Sequence, residues 1–394
     1  MNRDPHPPRG FQTRAVHAAD GIDPSTSISP PIYQSSTFKL DSCALGAELA
    51  QSVRPTGFYT RWGNPTTRRF ETIVADLEGA EAALAFSSGM GAISAFTLSQ
   101  VRQGDHVLVG SSIYSGVHEL VCDVLARYGV ESTSVDTRDL DSVRDAFRPR
   151  TKLLLVESPT NPTLQLCDLA ALADLCRERG VISVVDNTFA TPCNQNPLAL
   201  GIDVVAHAAT KAIGGHSDVT AGVICAKREI VDGAWPMLKI LGACISPFES
   251  WLLIRGIKTL GLRVARQNES AAAIAAYLET HPGVEKVHYP GLRTHPEHQL
   301  ACRQMTGFGG IVSFEIGGAR TRGSSFAESL QLIELAVSLG GAESLICHPA
   351  SMTHGMLDDD TLERAGLSPG LQRLSVGLED VEDLIADLER ALET

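Results

Sequence analysis

The chain has 394 residues, of which 43% are hydrophobic and 20% are charged, so it can form more than one domain and is not typical of disordered proteins. Its formal net charge of −13 argues against binding to nucleic acid or to an anionic membrane. The nine cysteines are scattered and include no Cys-x-x-Cys pair, which indicates reduced thiols in a cytoplasmic protein rather than a disulfide framework or a zinc site.

Residues 1–60 are predicted to be an irregular arm that contacts a neighbouring subunit, because they are too polar to form a core alone. Four prolines act as breakers along it: Pro24, Pro30, Pro31 and Pro55. The polar, proline-rich stretch Met1–Gly21 predicts neither a signal peptide nor a membrane span. No later apolar run is long enough to cross a bilayer.

Residues 61–247 are predicted to form a large domain in which helices alternate with buried strands. Apolar residues with helical spacing cover roughly 66–78, 90–101, 115–128, 139–147 and 168–179. Short runs rich in β-branched residues predict strands at Ala82–Phe86, His106–Val109, Ser132–Val135, Lys152–Glu157, Val181–Asp186, Val204–Ala208 and Gly222–Ala226. This alternation indicates an α/β fold with a mostly parallel sheet and helices on both faces.

Residues 248–394 are predicted to contain a linking helix and a smaller C-terminal α/β domain. The helical pattern over 248–278 has few breakers, so we expect one long helix with a kink near Gly256 or Gly261. The predicted strands of the smaller domain are Val284–His288, Ile311–Glu315 and Leu374–Val376. An amphipathic helix over Glu379–Leu392 is expected to end the chain.

Two strand-like runs of the large domain end in an amine and a carboxylate. One run, Val204–Ala208, leads to Lys211, and the other, Val181–Val185, leads to Asp186. Ligands of open α/β sheets bind beyond the carboxyl ends of the strands. A lysine that can form an imine and an acid that can hold a ring nitrogen are what pyridoxal 5′-phosphate (PLP) needs. A structural salt bridge is the alternative role for Asp186.

A candidate phosphate site follows the first strand of the large domain. The stretch Ser87–Gly91 opens a helix, whose N-terminal N–H groups can bind a phosphate, although a tight turn would have the same sequence. No Gly-Lys-Ser/Thr follows it, and Ser94 replaces the third glycine of a dinucleotide fingerprint. Arg61 is a second candidate, which can clamp a phosphate or remain a surface arginine.

Other candidate residues lie near strand ends. Tyr114 can stack on a flat cofactor or be an ordinary half-buried tyrosine. In the stretch Glu157–Pro162, which otherwise reads as a proline turn, Asn161 can donate to a phenolate oxygen. Ser338 and Arg373 can hold a substrate carboxylate, or they can serve as a cap and a surface ion pair.

No metal site and no hydrolase site is predicted. The stretch His295–His298 contains a proline and lacks a third metal ligand. His348 and His354 are expected to be structural. The sequence also contains no Gly-x-Ser-x-Gly nucleophile motif.

From about Thr13 to Leu392, the chain resembles the Cys/Met-metabolism family of fold-type I PLP enzymes. The matching pieces are Tyr59–Thr66, Ser88–Met90, Glu157–Pro162, Asp186–Thr188, Thr210–Lys211, Gly215–Asp218, Arg255–Leu260, His348–His354 and Arg373–Glu379. The resemblance implies the fold-type I PLP-dependent transferase fold, with a mostly parallel large domain and a smaller C-terminal α/β domain. It also implies PLP as cofactor, a small amino-acid substrate, and a homotetramer built from dimers that share active sites.

The resemblance implies a role for each matching residue. Lys211 would bond covalently to PLP and move protons, Asp186 would keep the ring nitrogen protonated, and Tyr114 would stack on the ring and act as acid or base. Further cofactor contacts would come from Ser88, Gly89, Met90, Glu157, Asn161, Thr188 and Thr210, and from Tyr59 and Arg61 of a neighbouring subunit. Ser338, Arg373 and Val337 would contact the substrate.

Five positions depart from common patterns of the family or of its subgroups. Ala208 stands where a serine usually donates to the phosphate, and Ala212 stands where an aromatic residue usually follows the lysine. Methionine γ-lyases carry a cysteine at the position of Gly116 and an aspartate near Ile240. Cystathionine-handling members commonly carry a glutamate at the position of Val337, and valine suits an apolar thioether tail instead.

The resemblance favours γ-elimination on methionine, homocysteine or a cystathionine-like thioether, as in methionine γ-lyase and cystathionine γ-lyase. The products would be 2-oxobutanoate, ammonia and a thiol. Two alternatives stay open. One is γ-replacement, of the cystathionine γ-synthase or O-acyl-homoserine sulfhydrylase type, which would suit specialised biosynthesis. The other is a non-catalytic binding protein, which Ala208 and Ala212 favour. The presence of Lys211, Asp186, Tyr114 and Arg373 together argues against it.

Overall fold

The computed structural model describes residues 9–22, 24–353, 355, 358, 362 and 366–393. The N-terminal arm, predicted to be irregular, contains two helices, α1 (Phe11–His17) and α2 (Cys43–Gln51). Helix α1 packs on the rest of the chain, where Arg14 donates to Asp76 at 2.8 Å and Ala15 is buried. The sequence pattern did not reveal these helices because short helices depend on packing rather than on their own propensity.

A seven-stranded sheet with the order β1-β7-β6-β5-β4-β2-β3 forms the centre of the large unit. Its strands are β1 (Ala82–Phe86), β2 (His106–Gly110), β3 (Glu131–Val135), β4 (Thr151–Glu157), β5 (Ile182–Asp186), β6 (Val204–His207) and β7 (Gly222–Ala226). Strand β7 is antiparallel to β1 and β6, and the other neighbours are parallel. The predicted α/β fold with a mostly parallel sheet is therefore confirmed.

Register places the predicted site residues at one edge of this sheet. Glu157 at the end of β4 is in register with Asp186 at the end of β5, and Asp186 is in register with Ala206 of β6. Because the three strands are parallel, their carboxyl ends meet at the same edge. The chain that follows β6, including Lys211, therefore starts next to Asp186.

Helices pack around this sheet. They are α3 (Pro65–Glu78), α4 (Gly89–Gln100), α5 (Ser115–Glu119), α6 (Leu140–Ala146), α7 (Leu169–Arg179), α8 (Thr191–Asn194) and α9 (Arg228–Leu241). Asn64 caps α3 by accepting the Thr66 N–H, and Gly79 ends this helix in the left-handed conformation. Every residue of β2 and of β7 is buried, which explains why both strands are apolar apart from His106 at the start of β2.

The helix predicted over 115–128 is made of three different turns. Helix α5 ends at Glu119, a π-helical turn covers Leu120–Val124, and a 3₁₀ turn covers Leu125–Tyr128. Gly129 then ends the segment with a φ of 75°. Apolar spacing could not separate these pieces, because all three keep the same side of the segment turned to the core over so short a stretch.

The single helix predicted over 248–278 is interrupted at Lys258. Two helices replace it, α10 (Pro247–Ile257) and α11 (Leu260–Thr280). The break falls between the two glycines at which a kink was expected. Arg263 of α11 donates to the carbonyl oxygen of Gly256 at 2.8 Å and to the hydroxyl of Thr259 at 3.2 Å. These hydrogen bonds hold the turn, because they satisfy polar groups that the helix leaves free at its end.

The C-terminal unit contains a second sheet with the order β10-β11-β12-β9-β8. Its elements are β8 (Val284–His288), α12 (His298–Gln304), β9 (Ile311–Ile316), α13 (Arg320–Ser329), β10 (Glu334–Leu335), β11 (Leu345–Cys347), β12 (Leu371–Ser375) and α14 (Val381–Leu392). The prediction missed β10 and β11, which are 2 and 3 residues long. It also placed Arg373 at a strand end, whereas Arg373 lies within β12, opposite Cys347 and Ser313.

All nine cysteines are free thiols. Among the residues that the structure describes, no helix combines the length and the apolar character that a membrane span requires.

Candidate functional site

A cavity of about 370 Å³ lies where β4 and β5 end, between the two sheets. Its walls contain every predicted site residue apart from Tyr59 and Arg61: Ser88, Gly89, Met90, Tyr114, Glu157, Asn161, Asp186, Thr188, Thr210, Lys211, Val337, Ser338 and Arg373. The two units both contribute, because Val337, Ser338 and Arg373 come from the C-terminal unit. The fold therefore gathers residues that are far apart in the sequence into one site.

Lys211 lies in the turn that follows β6. Its backbone N–H donates to the carbonyl of Ala208 at 3.0 Å, and its Nζ donates to the hydroxyl of Ser338 at 2.6 Å. Burial, together with the positive charge of Arg373, lowers the pKa of Lys211 from 10.5 to about 8. A larger share of the amine is therefore neutral near neutral pH, and the neutral amine is the form that attacks an aldehyde.

Two carboxyl groups lie side by side at the base of the cavity. Asp186 accepts hydrogen bonds from the N–H and the hydroxyl of Thr188, the former at 3.0 Å. Glu157 accepts the backbone N–H groups of Tyr114 at 2.7 Å and of Asn161 at 3.0 Å. Burial raises the pKa of Asp186, and burial followed by the charge of Asp186 raises the pKa of Glu157 well above its usual value. A cationic ring nitrogen beside Asp186 would favour its charged form.

The start of α4 provides free donors. The hydroxyl of Ser88 accepts the N–H of Gly91 at 2.9 Å, and the carbonyl of Ser88 accepts the N–H of Ala92 at 3.0 Å. The N–H groups of Gly89 and Met90 precede these and have no acceptor within the helix. Both residues line the cavity. Free N–H groups at a helix N-terminus suit a phosphate.

The turn before α4 rests directly on the sheet, without side chains between them. A Cβ at Gly222 would lie 2.2 Å from the carbonyl oxygen of Ser88, and a Cβ at Gly89 would lie 3.0 Å from the Cβ of Ala208. Glycine is required where backbones approach so closely. The hydroxyl of Thr210 donates to Ala221 at 3.1 Å and accepts its N–H at 2.9 Å, so Thr210 also closes the adjoining turn.

Arg373 of β12 joins the large unit to the loop that contains Ser338. Its guanidinium donates to the side chain of Asn161 and to the carbonyl of Ser338, both at 2.9 Å. Its Nε is buried and has no hydrogen-bond partner among the described residues. Ser338 has a φ of 87°, a left-handed conformation that is uncommon for serine and that occurs often at functional sites. A guanidinium that lines a cavity suits a carboxylate ligand.

Two side chains of the cavity wall are largely open to solvent. Tyr114 is 47% exposed and Val337 is 58% exposed. An exposed tyrosine ring at a cavity wall can stack on a flat ligand. An exposed valine gives this part of the wall an apolar surface.

Tyr59 and Arg61 do not line this cavity. The guanidinium of Arg61 lies 5.4 Å from the ring centroid of Tyr59, and it donates to the carbonyl of Lys239 at 2.6 Å. The ring of Tyr59 is 39% exposed. Their contribution to the site of a neighbouring subunit stays a prediction.

Five residues of the cavity wall were not predicted: Ile93, Phe189, Thr220, Leu339 and Thr353. Phe189 and Leu339 directly follow predicted site residues, so their positions in the sequence could have revealed them. Ile93 and Thr220 carry no comparable signal, because they reach the cavity only through the folding of α4 and of the turn before β7.

The histidines that the sequence analysis set aside have other partners. His348 contacts the carbonyl of Pro369 at 2.7 Å and the hydroxyl of Ser351 at 2.9 Å. His295 lies 3.5 Å from Glu297. In the described part of the chain, no group of three or more His, Cys, Asp or Glu side chains could hold a metal ion. His354 lies outside the described residues.

The cavity fits PLP in the chemistry of its donors and acceptors. Lys211 supplies an amine for the aldehyde, Asp186 supplies a carboxylate for the ring nitrogen, and the N–H groups of Gly89 and Met90 suit the phosphate. Tyr114 supplies an aromatic face for the ring. Because Gly222 carries no side chain, the turn that opens α4 (Ser88–Met90, the candidate phosphate turn) can approach the sheet closely.

Residues 12–393 match the family described as Cys/Met metabolism PLP-dependent enzyme. The L-methionine gamma-lyase of Fusobacterium nucleatum subsp. polymorphum is 44% identical over 387 residues, which cover 98% of each chain. The cystathionine gamma-lyase of Bacillus subtilis is 44% identical, over 97% of this chain and 99% of that protein. The cystathionine gamma-synthase of Mycobacterium bovis is 44% identical, over 97% of each.

A solved structure is similar over the same length. The cystathionine gamma-lyase of Lactobacillus plantarum superposes with a TM-score of 0.90 at 41% identity, covering 98% of this chain and 99% of that one. The similarity therefore includes both units.

Proposed function

The chain belongs to the Cys/Met metabolism PLP-dependent enzymes, and we propose that it catalyses γ-elimination on a sulfur amino acid, giving 2-oxobutanoate, ammonia and a thiol. It is a PLP-dependent enzyme of the carbon–sulfur lyase type, similar to methionine γ-lyase, so the alternative of a non-catalytic binding protein is set aside. The substrates proposed are methionine, homocysteine and cystathionine-like thioethers.

The preference among these substrates is inferred from Val337. Its exposed, apolar side chain lines the cavity next to Ser338. Among the described residues, the acidic side chains of the wall are Glu157 and Asp186, and both are already engaged by backbone N–H groups or by Thr188. A distal ammonium such as that of cystathionine would meet no free carboxylate in the described part of this wall, so we infer a preference for an apolar thioether tail.

We derive the following roles for the residues of the chain. PLP, when bound, supplies an electron sink for the negative charge that develops at the substrate Cα. Arg373 binds the substrate carboxylate, and Asp186 holds the proton at the ring nitrogen. Lys211, with a pKa lowered to about 8, removes a proton from Cα, releases it, and then removes a proton from Cβ, so that the electrons of the Cβ–H bond can expel the γ-sulfur. Tyr114 donates a proton to the γ-sulfur as it leaves.

Other residues of the cavity would hold the phosphate of PLP or fix the groups that contact its ring. Ser88, Gly89 and Met90 hold the phosphate, with Thr210 supporting their turn, and Thr188 orients the carboxylate of Asp186. Glu157 fixes the backbone of Tyr114 and Asn161. These roles all follow from groups that line the cavity or bond to its walls.

We also propose how the chain assembles. Tyr59 and Arg61 lie outside the cavity of their own chain, and we infer that they reach the phosphate of a neighbouring subunit. This would make dimers that share sites, combined into a homotetramer in the cytoplasm. The arm of residues 1–60 would contact the neighbour, 61–247 would bind PLP, and 248–394 would supply the linking helices and the C-terminal domain.

Product analysis tests the proposed reaction. Purified protein with PLP is incubated separately with methionine and with cystathionine, and 2-oxobutanoate is measured over time. We expect release from methionine at a higher kcat/KM than from cystathionine, because Val337 offers the ammonium of cystathionine no partner. The Lys211→Ala variant serves as the control for background release. Absence of 2-oxobutanoate from both substrates would show that elimination is wrong.

γ-Replacement is the second candidate. The relative from Mycobacterium bovis, whose name is that of a synthase, is as similar to this chain as the lyases are. An activated homoserine ester offered together with a thiol distinguishes the reactions. Thioether formation that is faster than release of 2-oxobutanoate would favour replacement, whereas the opposite order would favour elimination.

A further inference from the structure

A buried polar network lies behind the strand ends that carry the cofactor site. Glu78, the last residue of α3, has 0% of its surface exposed. One carboxylate oxygen, Oε1, accepts hydrogen bonds from Nε2 of His207 at 2.6 Å and from the side-chain amide of Asn187 at 3.1 Å. None of these three residues lines the cavity.

Gln195 extends the network to a third strand. Its side-chain amide donates to the carbonyl of Ser158 at 2.8 Å and to the side-chain oxygen of Asn187 at 2.9 Å. The backbone carbonyl of Gln195 accepts the Asn187 amide at 3.0 Å. Ser158, Asn187 and Gln195 are all buried, so these bonds are protected from water.

Each anchored residue is the chain neighbour of a cavity residue. Ser158 follows Glu157, Asn187 follows Asp186, and His207 precedes Ala208. Strands β4, β5 and β6 are therefore held together just behind the side chains that face the cavity. A shift of any anchored residue would be passed directly to its neighbour through one peptide unit.

Without its hydrogen-bond partners, a glutamate at position 78 would destabilise the folded protein. A carboxylate at the C-terminal end of a helix faces the negative end of the helix dipole. Full burial adds a desolvation cost, and its second oxygen, Oε2, has no partner among the described residues. Local helix stability therefore does not explain a glutamate at this position, whereas its contacts with β5 and β6 do.

We propose that Glu78 is a positioning residue for the cofactor site, which holds the ends of β5 and β6 through Asn187 and His207 and, with Gln195, the end of β4. The inference rests on the proposed function only in that the cavity binds PLP. It assigns Glu78 no contact with cofactor or substrate. Its effect is on where Asp186 and the phosphate turn lie relative to each other.

Binding of PLP to the apoprotein is the test, since it requires no turnover. In Glu78→Leu the carboxylate is replaced by a side chain that accepts no hydrogen bond. We expect the Kd for PLP to rise about tenfold or more, because the ring and phosphate contacts no longer form in one geometry. We also expect the visible absorbance band of the bound cofactor to shift, since Asp186 moves relative to the ring.

His106→Leu is the matched control. His106 is a buried histidine of the same sheet, at the amino end of β2, and it contacts the hydroxyls of Thr151 at 2.8 Å and Thr133 at 2.9 Å. Its loss should lower the melting temperature while the Kd for PLP stays within about twofold of the wild type. An equal loss of PLP affinity in both variants would overturn the proposal, because general destabilisation would then suffice.

Two further variants complete the test. Glu78→Gln keeps an oxygen that can accept both hydrogen bonds, so it should bind PLP at least about threefold more tightly than Glu78→Leu. Gln195→Met removes both hydrogen bonds that the Gln195 side chain donates, at similar side-chain volume, and should also weaken PLP binding. If Glu78→Leu does not fold, the Kd of Gln195→Met for PLP tests the proposal instead. A wild-type Kd in either Glu78→Leu or Gln195→Met would overturn the proposal.

The test is separate from that of the proposed function. If the wild-type protein binds PLP but releases no 2-oxobutanoate, the elimination reaction is wrong and the comparison of PLP affinities still decides the role of Glu78. If elimination occurs and Glu78→Leu binds PLP as the wild type does, the role of Glu78 alone is wrong.

Discussion

The amine of Lys211 donates to the hydroxyl of Ser338 at 2.6 Å, and the carbonyl oxygen of the same serine accepts a hydrogen bond from Arg373 at 2.9 Å. Ser338 thus brings two basic side chains close together in a buried site. Burial is the first cause of the lowered pKa of Lys211, and the charge of Arg373 is the second. The arrangement therefore supplies neutral amine at a lower pH than an exposed lysine would.

The rate at which PLP bonds to the apoprotein should depend on this pKa. The rate, followed by the visible absorbance of the bound cofactor, should rise with pH and level off above about 8, where Lys211 is neutral. Arg373→Met removes a positive charge, so the midpoint should move upward, towards the ordinary value of 10.5. Arg373→Lys keeps the charge and serves as the control. An unchanged midpoint in Arg373→Met would contradict this explanation.

The same pKa predicts how the stability of the apoprotein depends on pH. The folded-state pKa of Lys211, about 8, lies below the value of 10.5 expected for the unfolded chain. Between these values the unfolded chain binds more protons, so the contribution of Lys211 to the free energy of unfolding rises with pH. Denaturant titrations of the wild type and of Lys211→Met measure it. The difference between their unfolding free energies should change in this window, and parallel pH profiles would contradict the prediction.

Gly222→Ala should disrupt the turn that precedes α4. The added Cβ would lie 2.2 Å from the carbonyl oxygen of Ser88 and 2.7 Å from the Cα of Gly89, so the backbone has to move. We expect a loss of about 1–3 kcal/mol of stability together with weaker PLP binding. Melting temperature and PLP titration measure the two effects.

Gly233→Ala is the control for this substitution. Gly233 lies within α9, and a Cβ there would meet no atom within 4 Å. Replacing an unconstrained helical glycine by alanine should stabilise the protein by about 0.5–1 kcal/mol without changing PLP affinity. If both variants behaved alike, the close approach at Gly222 would not be the cause.

The parts of the site that could be predicted from sequence are the residues that directly follow a recognisable strand. Asp186 ends an apolar strand and Lys211 follows another, so the rule that ligands bind beyond the ends of parallel strands was enough to place them together. The bounds of β1, β7 and β8 were also predicted correctly.

The parts that could not be predicted depend on contacts between distant segments. Glu78 and His207 are 129 positions apart, and no periodic pattern reports their hydrogen bond. Arg373 was expected at a strand end because β11, which pairs with it, is too short to show a pattern of its own. Helix α1 likewise exists through its packing on α3 and α11, which its own seven residues do not specify.

Ala208→Ser should strengthen PLP binding. Ala208 lies against the phosphate turn, because a Cβ built on Gly89 would be only 3.0 Å from the Cβ of Ala208. A serine hydroxyl there would add one donor to a charged phosphate, worth about 1.5 kcal/mol or more, so the Kd should fall about tenfold. Equilibrium titration of the apoprotein with PLP measures the change, and the melting temperature of the apoprotein controls for altered folding. An unchanged or higher Kd would show that position 208 does not face the phosphate.

Val337→Glu should shift the substrate preference towards cystathionine. The side chain is 58% exposed and adjoins Ser338, so a carboxylate can be placed there without the cost of burial. It would attract the distal ammonium of cystathionine and would offer nothing to the methyl group of methionine. The ratio of kcat/KM for cystathionine to that for methionine should rise about tenfold, a change of about 1.4 kcal/mol. Val337→Gln, of equal size and without charge, should change this ratio much less. An equal response of the two variants would mean that size rather than charge sets the preference at this wall of the cavity.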